Sequence, residues 1–506
     1  MRHVASIFAV LAIATPALAQ TVNEQGAAQL TSDLKRYVGE TVFAKGIVKV
    51  AVDGGGYTIT FDPKAMSAFI PAQAGAKFDI APYSLRVKPR PDMTWDVAGD
   101  AMPNGAFEFN GPQGRQHMSW TLANGRMTGV YDPALAIFTT AESSMDGMAM
   151  KSGDPTQETD ASFGNGAFAM TGKLAANGGV DVTSTQSVAN FAEKVTINDP
   201  SIGLNMPVTL TTPKIDVTSS ATGFRSRAML NLLAFGVANA EDSRVRANQA
   251  ELKTKLLATL PLWDKLEGSY GLNGIQVGTP IGNFGASQLA VRFTGTGISR
   301  NGTLNYGVKI GGLTVPAGVL PAWSATLMPT ELDLNLGGAN LDLDSLVREA
   351  IEAFDLTKEP PIADEVGAEL AADFLAKGPR FVIAESFVKN KDTQFTFSGD
   401  IVMQGERPDL NVTIDATGYD KMVEALQAAA TSDPQAQQIF PVTLAFKGFA
   451  KTLPDGALQW IVNARADGSI FINGGLIKGA DTIPAPEPIP EPIAPGAPPA
   501  PPANPQ

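Results

Sequence analysis

The sequence predicts an α+β protein that is mostly β, with large antiparallel sheets and a few helices packed on them. Two patterns carry this prediction: short segments in which apolar and polar residues alternate, and frequent Asn-Gly and Asp-Gly pairs between those segments. Alternation places one face of a strand against a core and the other face in water. The pairs accept the positive φ that tight hairpin turns require. At the usual spacing of such turns the chain holds about twenty strands or more.

The clearest alternating segments are residues 57–61, 332–336, 395–398 and 410–414. The pairs that we interpret as hairpin turns begin at Asp53, Asn104, Asn110, Asn124, Asn165, Asn177, Asn273, Asn301, Asp455, Asp467 and Asn473. Residues 104–111 (NGAFEFNG) and 165–172 (NGAFAMTG) echo each other, which is explained either by two similar strands of one layer or by chance. The pattern leaves open whether the sheets close over a core or leave an open apolar groove.

The first 19 residues read as a cleavable export signal. Arg2 supplies a positive charge, residues 4–14 are an apolar run, and the Ala-Leu-Ala at 17–19 fits a signal peptidase site with cleavage between Ala19 and Gln20. The alternative is an N-terminal hydrophobic helix that stays attached, but the run is shorter than the roughly 20 residues of a membrane span. We therefore expect a periplasmic protein with no transmembrane segment after cleavage.

Composition narrows the partners and the chemistry. The net charge is −13, which disfavours nucleic acid as a partner because phosphates would be repelled. Cysteine is absent, so disulfides, thiolate metal sites and a cysteine nucleophile are excluded. Histidine occurs only at His3 and His117, and His3 leaves with the signal. A mature protein with one imidazole is a poor candidate for a zinc site, which needs three or four ligands.

Helical periodicity interrupts the strands in three places. Residues 224–260 predict two helices broken near 239–242, residues 345–354 and 364–376 predict two more with Asp344 as an N-cap, and residues 419–430 predict one that stops before Pro434. We therefore divide the chain into a signal peptide (1–19), an N-terminal β-rich region (20–222), a helical segment (223–260), a C-terminal α+β region (261–482) and a tail (483–506). The two sheet-rich regions are expected to meet near the helical segment.

The tail from residue 483 is rich in proline and lacks a core-forming pattern, which predicts a disordered, solvated segment rather than a binding arm. It carries Glu487 and Glu491, which disfavour anchoring to an anionic membrane.

The sequence contains candidate residues for three types of site, but no catalytic, cofactor-binding or metal-binding residue is assigned. His117 lies in an alternating stretch without a G-x-S-x-G elbow, which favours a surface histidine over a serine-histidine-aspartate site. Asp333, Asn335, Asp342 and Asp344 offer oxygen ligands for calcium, but their alternation with leucine favours the wet face of a strand and a helix cap. The glycine runs at 54–56 and 337–338 precede no Gly-Lys-Ser/Thr, so no phosphate loop or other cofactor is indicated.

Several segments in the second half of the chain carry a family likeness: LPLWDKLEG (260–268), GLNGIQV (271–277), TPIG (279–282), GLTVP (312–316), LPAW (320–323) and DGSIFING (467–474). Together they resemble an exported alphaproteobacterial family, domain of unknown function 2125, and are loosely similar to exported β-rich proteins of the YdgA type. The likeness covers residues 260–476. It implies the β-rich fold class and an envelope location, and it carries over no catalytic residue.

Two functional expectations follow. The favoured one is a non-enzymatic binding or scaffold protein of the cell envelope, whose partner is lipid or another envelope protein, because amphipathic sheets can hold a lipid in an open groove or cover the edge of another sheet. The alternative is a hydrolase of cell-wall glycans that uses two carboxylates, since such pairs converge in space and not in sequence.

Overall fold

The structure is a computed structural model that describes residues 22–69, 75–100, 103–111, 114–199, 204–404 and 407–481. The predicted signal peptide and the tail from residue 483 lie outside the described residues. The prediction of a mostly β α+β protein is confirmed.

The first part of the chain begins with two helices and continues as strands. These elements are α1 (Glu24–Val38), α2 (Glu40–Ala44), β1 (Val48–Asp53), β2 (Gly56–Phe61), a 3-10 helix (Pro63–Phe69), β3 (Lys77–Ile80), β4 (Tyr83–Pro89), β5 (Trp95–Asp100), β6 (Gly105–Gly111), β7 (Gly114–Ala123), β8 (Arg126–Asp132), β9 (Ile137–Met145), β10 (Gly147–Asp154), β11 (Gln157–Phe163), β12 (Gly166–Leu174), β13 (Val180–Asp199) and β14 (Leu204–Phe224).

The second part alternates helices with long strands. These elements are α3 (Ser226–Ala238), α4 (Asp242–Ala247), α5 (Gln249–Thr259), β15 (Lys265–Thr279), β16 (Gly282–Thr296), β17 (Gly302–Gly311), α6 (Ala322–Leu327), β18 (Glu331–Leu341), α7 (Leu343–Ala353), α8 (Asp364–Ala376), β19 (Arg380–Lys389), β20 (Gln394–Gln404), β21 (Arg407–Thr417), α9 (Tyr419–Ala429), α10 (Pro434–Gly448), β22 (Lys451–Thr452), β23 (Leu458–Ala464), β24 (Ile470–Ile472) and β25 (Gly475–Lys478).

All of these strands belong to one antiparallel sheet. From β13 onward the order is a simple meander in which each strand pairs with the next, from β13–β14 through to β20–β21, and then β21–β23 and β23–β24. β14 pairs with β15 along most of its length even though three helices separate them in the chain. The two sheet-rich regions are therefore joined in a single sheet through the pairing of β14 with β15.

A transverse bend divides the earlier strands into two halves. β7 and β8 follow each other without pairing, because β8 pairs with β5 and β9 while β7 pairs with β6 and β10. In the same way β11 and β12 lie end to end against one strand, β13, whose residues 180–188 pair with β12 and whose residues 192–197 pair with β11. We call the half with β5, β8, β9 and β12 the proximal half and the half with β6, β7, β10 and β11 the distal half.

The bend explains several Asn-Gly pairs that the sequence predicted as hairpin turns. The pairs at Asn104, Asn124 and Asn165 separate the two halves of one long strand, and the pair at Asn273 lies inside β15, so the hairpin prediction is wrong at these four positions. The left-handed backbone of Asn124 and Asn190 turns the chain there without ending the sheet. The two echoing segments start β6 and β12 just after the bend, in opposite halves, so they are not neighbours.

One buried threonine replaces backbone hydrogen bonds at the bend. The ladder between β14 and β15 is interrupted beside Thr212, whose side chain is almost fully buried. Its Oγ1 lies 2.6 Å from the carbonyl oxygen of Asn273 and 3.1 Å from that of Lys214, and it can donate to either. The hydroxyl therefore satisfies an acceptor that the bend removes from the ladder.

The first buried core lies on the proximal half near the N-terminus. Asn23 caps α1 by accepting a hydrogen bond from the Gly26 amide, and α1 turns Leu30 and Leu34 onto the sheet. Beneath them pack alternate residues of the strands: Val48, Tyr57, Ile59, Phe61, Val87, Trp95, Val97, Tyr131, Phe138 and Ala141. The sequence prediction omitted α1, although its spacing of apolar residues is helical.

The second buried core lies at the C-terminal end of the sheet. Tyr419 of α9 packs with Ala416, Leu458 and Trp460 of β21 and β23. The helix predicted over 419–430 is present as α9, but the chain does not stop at Pro434: that proline opens α10, with Asp433 as its N-cap.

The remaining helices agree with the sequence in part. α8 has the predicted bounds, and the predicted break near residues 239–242 lies between α3 and α4. The prediction of two helices over 224–260 is wrong in number, because the stretch after the break forms two helices, α4 and α5. α7 begins two residues before the predicted start, at Leu343, and its N-cap is Asp342, so the prediction of Asp344 is wrong. Asp342 accepts from the backbone amide and the hydroxyl of Ser345, and the amide bond is the larger cause of the lowered pKa of its carboxyl.

Candidate functional site

Register places alternate residues of β15 to β20 on a common side of the sheet. Tyr270 of β15 stands opposite Val291 of β16, Val291 opposite Val308 of β17, and Val308 opposite Leu334 of β18. We call this side the apolar face. Its large residues on these six strands are Leu266, Tyr270, Leu272, Leu289, Val291, Phe293, Leu304, Tyr306, Val308, Ile310, Leu332, Leu334, Leu336, Phe381, Ile383, Val388, Phe395, Phe397 and Ile401.

The other side of the same strands, the polar face, is held by hydrogen bonds and ion pairs. Arg292 of β16 reaches across β17 to β18, where its Nη2 lies 2.5 Å from Oδ1 of Asp333 and 3.1 Å from Oδ1 of Asn335. Ser269 of β15 shares a 2.7 Å hydroxyl contact with Thr218 of β14. Because side chains alternate between the two faces of these strands, one side of the sheet is polar and solvated and the other side is apolar.

The apolar face is continuous with both buried cores. Phe168 and Met170 of β12 pack against the first core and stand, through the β12–β13 register, on the same side as Ser184 and Gln186. From β13 that side continues through β14 to Tyr270. At the other end Phe395 and Ile414 pack against the second core. One side of the sheet therefore joins the core under α1 to the core under α9.

Between these cores the apolar face is open. None of its large residues on β15 to β20 is fully buried, and five of them are exposed by more than a third: Tyr270, Leu304, Tyr306, Leu336 and Phe381. The six strands span about 24 Å across the sheet and the open stretch is roughly 25 Å long, so the sheet area beneath it is on the order of 600 Å². A contiguous exposed apolar patch on a protein surface commonly marks an interaction site.

Helices lie at both ends of the strands that carry the open face. At one end, contacts run in a row from α1 to α3, α5, α7 and α8, and α8 contacts β20. The row is joined by polar bonds as well, since Nζ of Lys253 donates to the carbonyl of Glu352 at 2.7 Å and Gln249 bonds the Leu356 amide at 3.0 Å. At the opposite end α6 contacts α9 and α9 contacts α10.

A hollow lies on the polar face of the proximal half. Its volume is about 810 Å³, and it lies over β8, β9, β12, β13 and β14. Its charged residues are Arg126, Glu142, Lys214 and Asp216, and Nζ of Lys214 lies 2.8 Å from Oδ1 of Asp216. Hydroxyl-bearing residues supply much of the remaining lining: Thr128, Ser143, Ser144, Thr185, Ser187 and Thr218.

The two carboxylates of this hollow do not form a glycosidase pair. Glu142 stands opposite Ala169, Ala169 opposite Thr185, and Thr185 opposite Thr218, two residues from Asp216. Three strand spacings and two residues along a strand separate their backbones by about 16 Å. Carboxylates that cleave glycosides lie roughly 5–9.5 Å apart.

The candidate residues of the sequence do not form one site, although Asn335 donates a 3.0 Å hydrogen bond to Asp333. His117 lies on β7 in the distal half, with Nε2 3.3 Å from Oε2 of Glu158, at a half-buried position outside the hollow. Asp333 bonds Arg292, and Asp344 bonds Arg348 at 2.7 Å, while Asp342 caps α7. These acids therefore have structural partners. Within the ranges that the structure describes, no cluster of His, Asp and Glu is placed to hold a metal ion.

The sequence leaves open whether the sheets close over a core or leave an apolar groove, and it does not predict which residues line such a groove. Alternation in residues 332–336 gave one strip of it, since Leu332, Leu334 and Leu336 all lie on the apolar face. Neighbouring strands contain glycine, tyrosine and asparagine, which blur their alternation in the sequence. Only the register of the paired strands shows that their apolar residues share one side.

No match to this chain is found among protein-family models, curated proteins or solved structures. Fold and surface therefore define it only as a single-sheet protein with an open apolar face. Among the described residues, none of the helices has both the length and the apolarity needed to cross a membrane.

Proposed function

We propose that this chain is a non-enzymatic lipid-binding protein of the cell envelope that holds acyl chains against the open apolar face of β15 to β20. The observation that carries the proposal is the uncovered stretch between two cores on one side of a continuous sheet. In the proposal the export signal at 1–19 delivers the protein to the periplasm, and the likeness to the exported family of domain of unknown function 2125 agrees with that location.

The chemistry of the face suits an acyl chain better than a folded protein. Its side chains are aliphatic or aromatic, and the hydroxyls of Tyr270 and Tyr306 are among its few hydrogen-bonding groups. An acyl chain has no polar group that would need a partner there, whereas protein interfaces carry about one hydrogen bond per 100–200 Å². Burying the open face against chains is favourable by about 25 cal/mol per Å².

Two adjacent residues on β17 test the proposal as a matched pair. Tyr306 lies on the apolar face and Asn305 on the polar face, and both are exposed. We expect Tyr306→Asp to weaken binding of a fluorescent fatty acid by at least about tenfold, because the new carboxylate would be desolvated by the chain. Asn305→Asp adds the same charge to the other side and should leave binding unchanged.

The measurement is a titration of cis-parinaric acid fluorescence against each purified full-length variant, with circular dichroism as a check of folding. Equal affinities for the two variants would contradict binding at the apolar face. Absence of binding to the unsubstituted protein, together with no co-purifying lipid in native mass spectrometry, would contradict the proposed function itself.

A further inference from the structure

The helix α10 presents apolar residues to solvent as well as to the protein. Residues 434–446 carry no charged side chain, and Lys447 is the first cation. A helix that is apolar on all sides is normally buried. In this structure only Ala436 of α10 is fully buried. Part of this helix therefore has an apolar surface for which the described chain provides no cover.

The inner side of α10 is firmly attached to the second core. The rings of Phe446 and Trp460 stack with centroids 5.2 Å apart, and Nε1 of Trp460 donates to the Phe446 carbonyl at 2.9 Å. The hydroxyl of Tyr419 donates to the Thr443 carbonyl, also at 2.9 Å. These bonds fix which side of the helix faces outward.

The outer side is a stripe of large apolar residues. Ile439, Val442 and Phe449 follow the spacing i, i+3 and i+10, which places them along one side of the helix axis. All three are exposed, and Val442 is 68% exposed. We call these three residues the α10 stripe.

Two lysines of the α9–α10 region are paired within the protein. Lys447 pairs with Asp420 of α9, and Lys421 lies 3.4 Å from Asp392. The chain as a whole carries a net charge of −13. An anionic surface would therefore gain little from these lysines and would be repelled by the whole molecule, so a neutral surface fits better.

The size of the stripe also limits its partner. A helix of 15 residues is about 22 Å long and about 10 Å wide, so one side offers on the order of 200 Å². A stable dimer buries about 800 Å² on each partner. Shallow insertion of an apolar helix side into a lipid surface needs no larger area.

We propose that the α10 stripe inserts into the surface of a zwitterionic lipid bilayer. The inference rests on the proposed function in one respect. The helix α10 packs on α9 and on Trp460 of β23, and only β21 separates β23 from β20, the strand that ends the open face, so a bilayer at α10 would lie near the proposed acyl-chain site. Inserting the stripe would bring lipid to that end of the apolar face.

The test is co-flotation of the full chain with small phosphatidylcholine vesicles. We expect the unsubstituted protein to float with the vesicles, with little change when the salt is raised and with no gain, or a loss, of binding when a quarter of the lipid is made anionic. Val442→Asp should lower the bound fraction at least about tenfold, because a carboxylate resists insertion. The control Leu174→Asp lies at the far end of β12, where Leu174 is 66% exposed, and should bind as the unsubstituted protein does.

Equal flotation of Val442→Asp and the unsubstituted protein would overturn the inference, and so would binding that requires anionic lipid. If Val442→Asp instead dissociates a dimer seen by analytical ultracentrifugation while no variant binds vesicles, the stripe is a contact between copies and the inference is wrong. Binding of cis-parinaric acid separates this test from the proposed function, because Val442→Asp should leave it intact while Tyr306→Asp should not.

Discussion

Replacing Trp460 by alanine is expected to lower the free energy of unfolding of the C-terminal core by about 3–5 kcal/mol, the usual cost of truncating a buried aromatic residue. Trp460 is fully buried and lies between the rings of Tyr419 and Phe446, with centroid distances of 5.4 Å and 5.2 Å. The substitution also leaves the Phe446 carbonyl without its indole donor. The loss should release α9 and α10 from the sheet.

Hydrogen exchange measures this effect locally. In Trp460→Ala, amides of α9, α10 and β23 should exchange faster, while those of α1 and β2 at the first core should keep their protection. Trp460→Phe retains an aromatic ring and should lose clearly less stability. Uniform loss of protection over the whole sheet would contradict the view that the two cores are separate.

Trp95→Ala should have an effect of similar size at the opposite end, again about 3–5 kcal/mol. Trp95 is fully buried on β5, with its ring 6.1 Å from that of Tyr57 and with Tyr131 as its cross-strand neighbour. Removing it opens a cavity beneath α1, where Leu30 and Leu34 are packed. Amides of α1 and β2 should then exchange faster while α9 and α10 remain protected.

The double variant Trp95→Ala with Trp460→Ala tests whether the cores are energetically independent. Distant sites without shared partners usually have additive effects within about 0.5 kcal/mol. We expect additivity, because the open face between the cores contains no fully buried large side chain on the apolar-face positions of β15 to β20. A coupling of several kcal/mol would mean that the sheet transmits packing between its two ends.

Much of the fold could be predicted because its signals are local. Strict alternation identified β18 and β21, and the bounds of α8 follow from apolar periodicity and the acids at its start. The same local signals gave wrong predictions at the bend. An Asn-Gly pair, such as those at Asn124 and Asn165, looks the same in the sequence whether the chain reverses in a hairpin or continues across a bend. Pairing across strands decides between a hairpin and a bend, and the sequence does not state it.

The sequence prediction lacks α10 for a related reason. The sequence prediction places the end of the helical segment before Pro434. Proline is also favoured in the first turn of a helix, and Asp433 supplies the N-cap that starts α10. Asp433 accepts from the amides of Gln435 and Ala436, and these bonds help to lower the pKa of its carboxyl. Recognising Asp-Pro as a start signal would have found α10 and its exposed apolar stripe.

The candidate site could be predicted only as a possibility of the fold. Each strand shows that it has an apolar side, but whether a second layer covers that side depends on where the helices go. The helices between β14 and β15 and between β18 and β19 contact one another in a row at the strand ends, and the middle of the face stays open. That placement is a property of the whole sheet and has no local signature.

The central claim is that acyl chains lie on the open apolar face, and photo-crosslinking with a diazirine-bearing fatty acid tests it most directly. After irradiation of the full chain with this probe, mass spectrometry of the peptides should locate the label on apolar-face residues such as Tyr270, Val308 and Leu334. Excess unlabelled oleic acid should compete the label away. Labelling confined to the hollow around Lys214 and Asp216, or labelling that oleic acid does not reduce, would contradict the account.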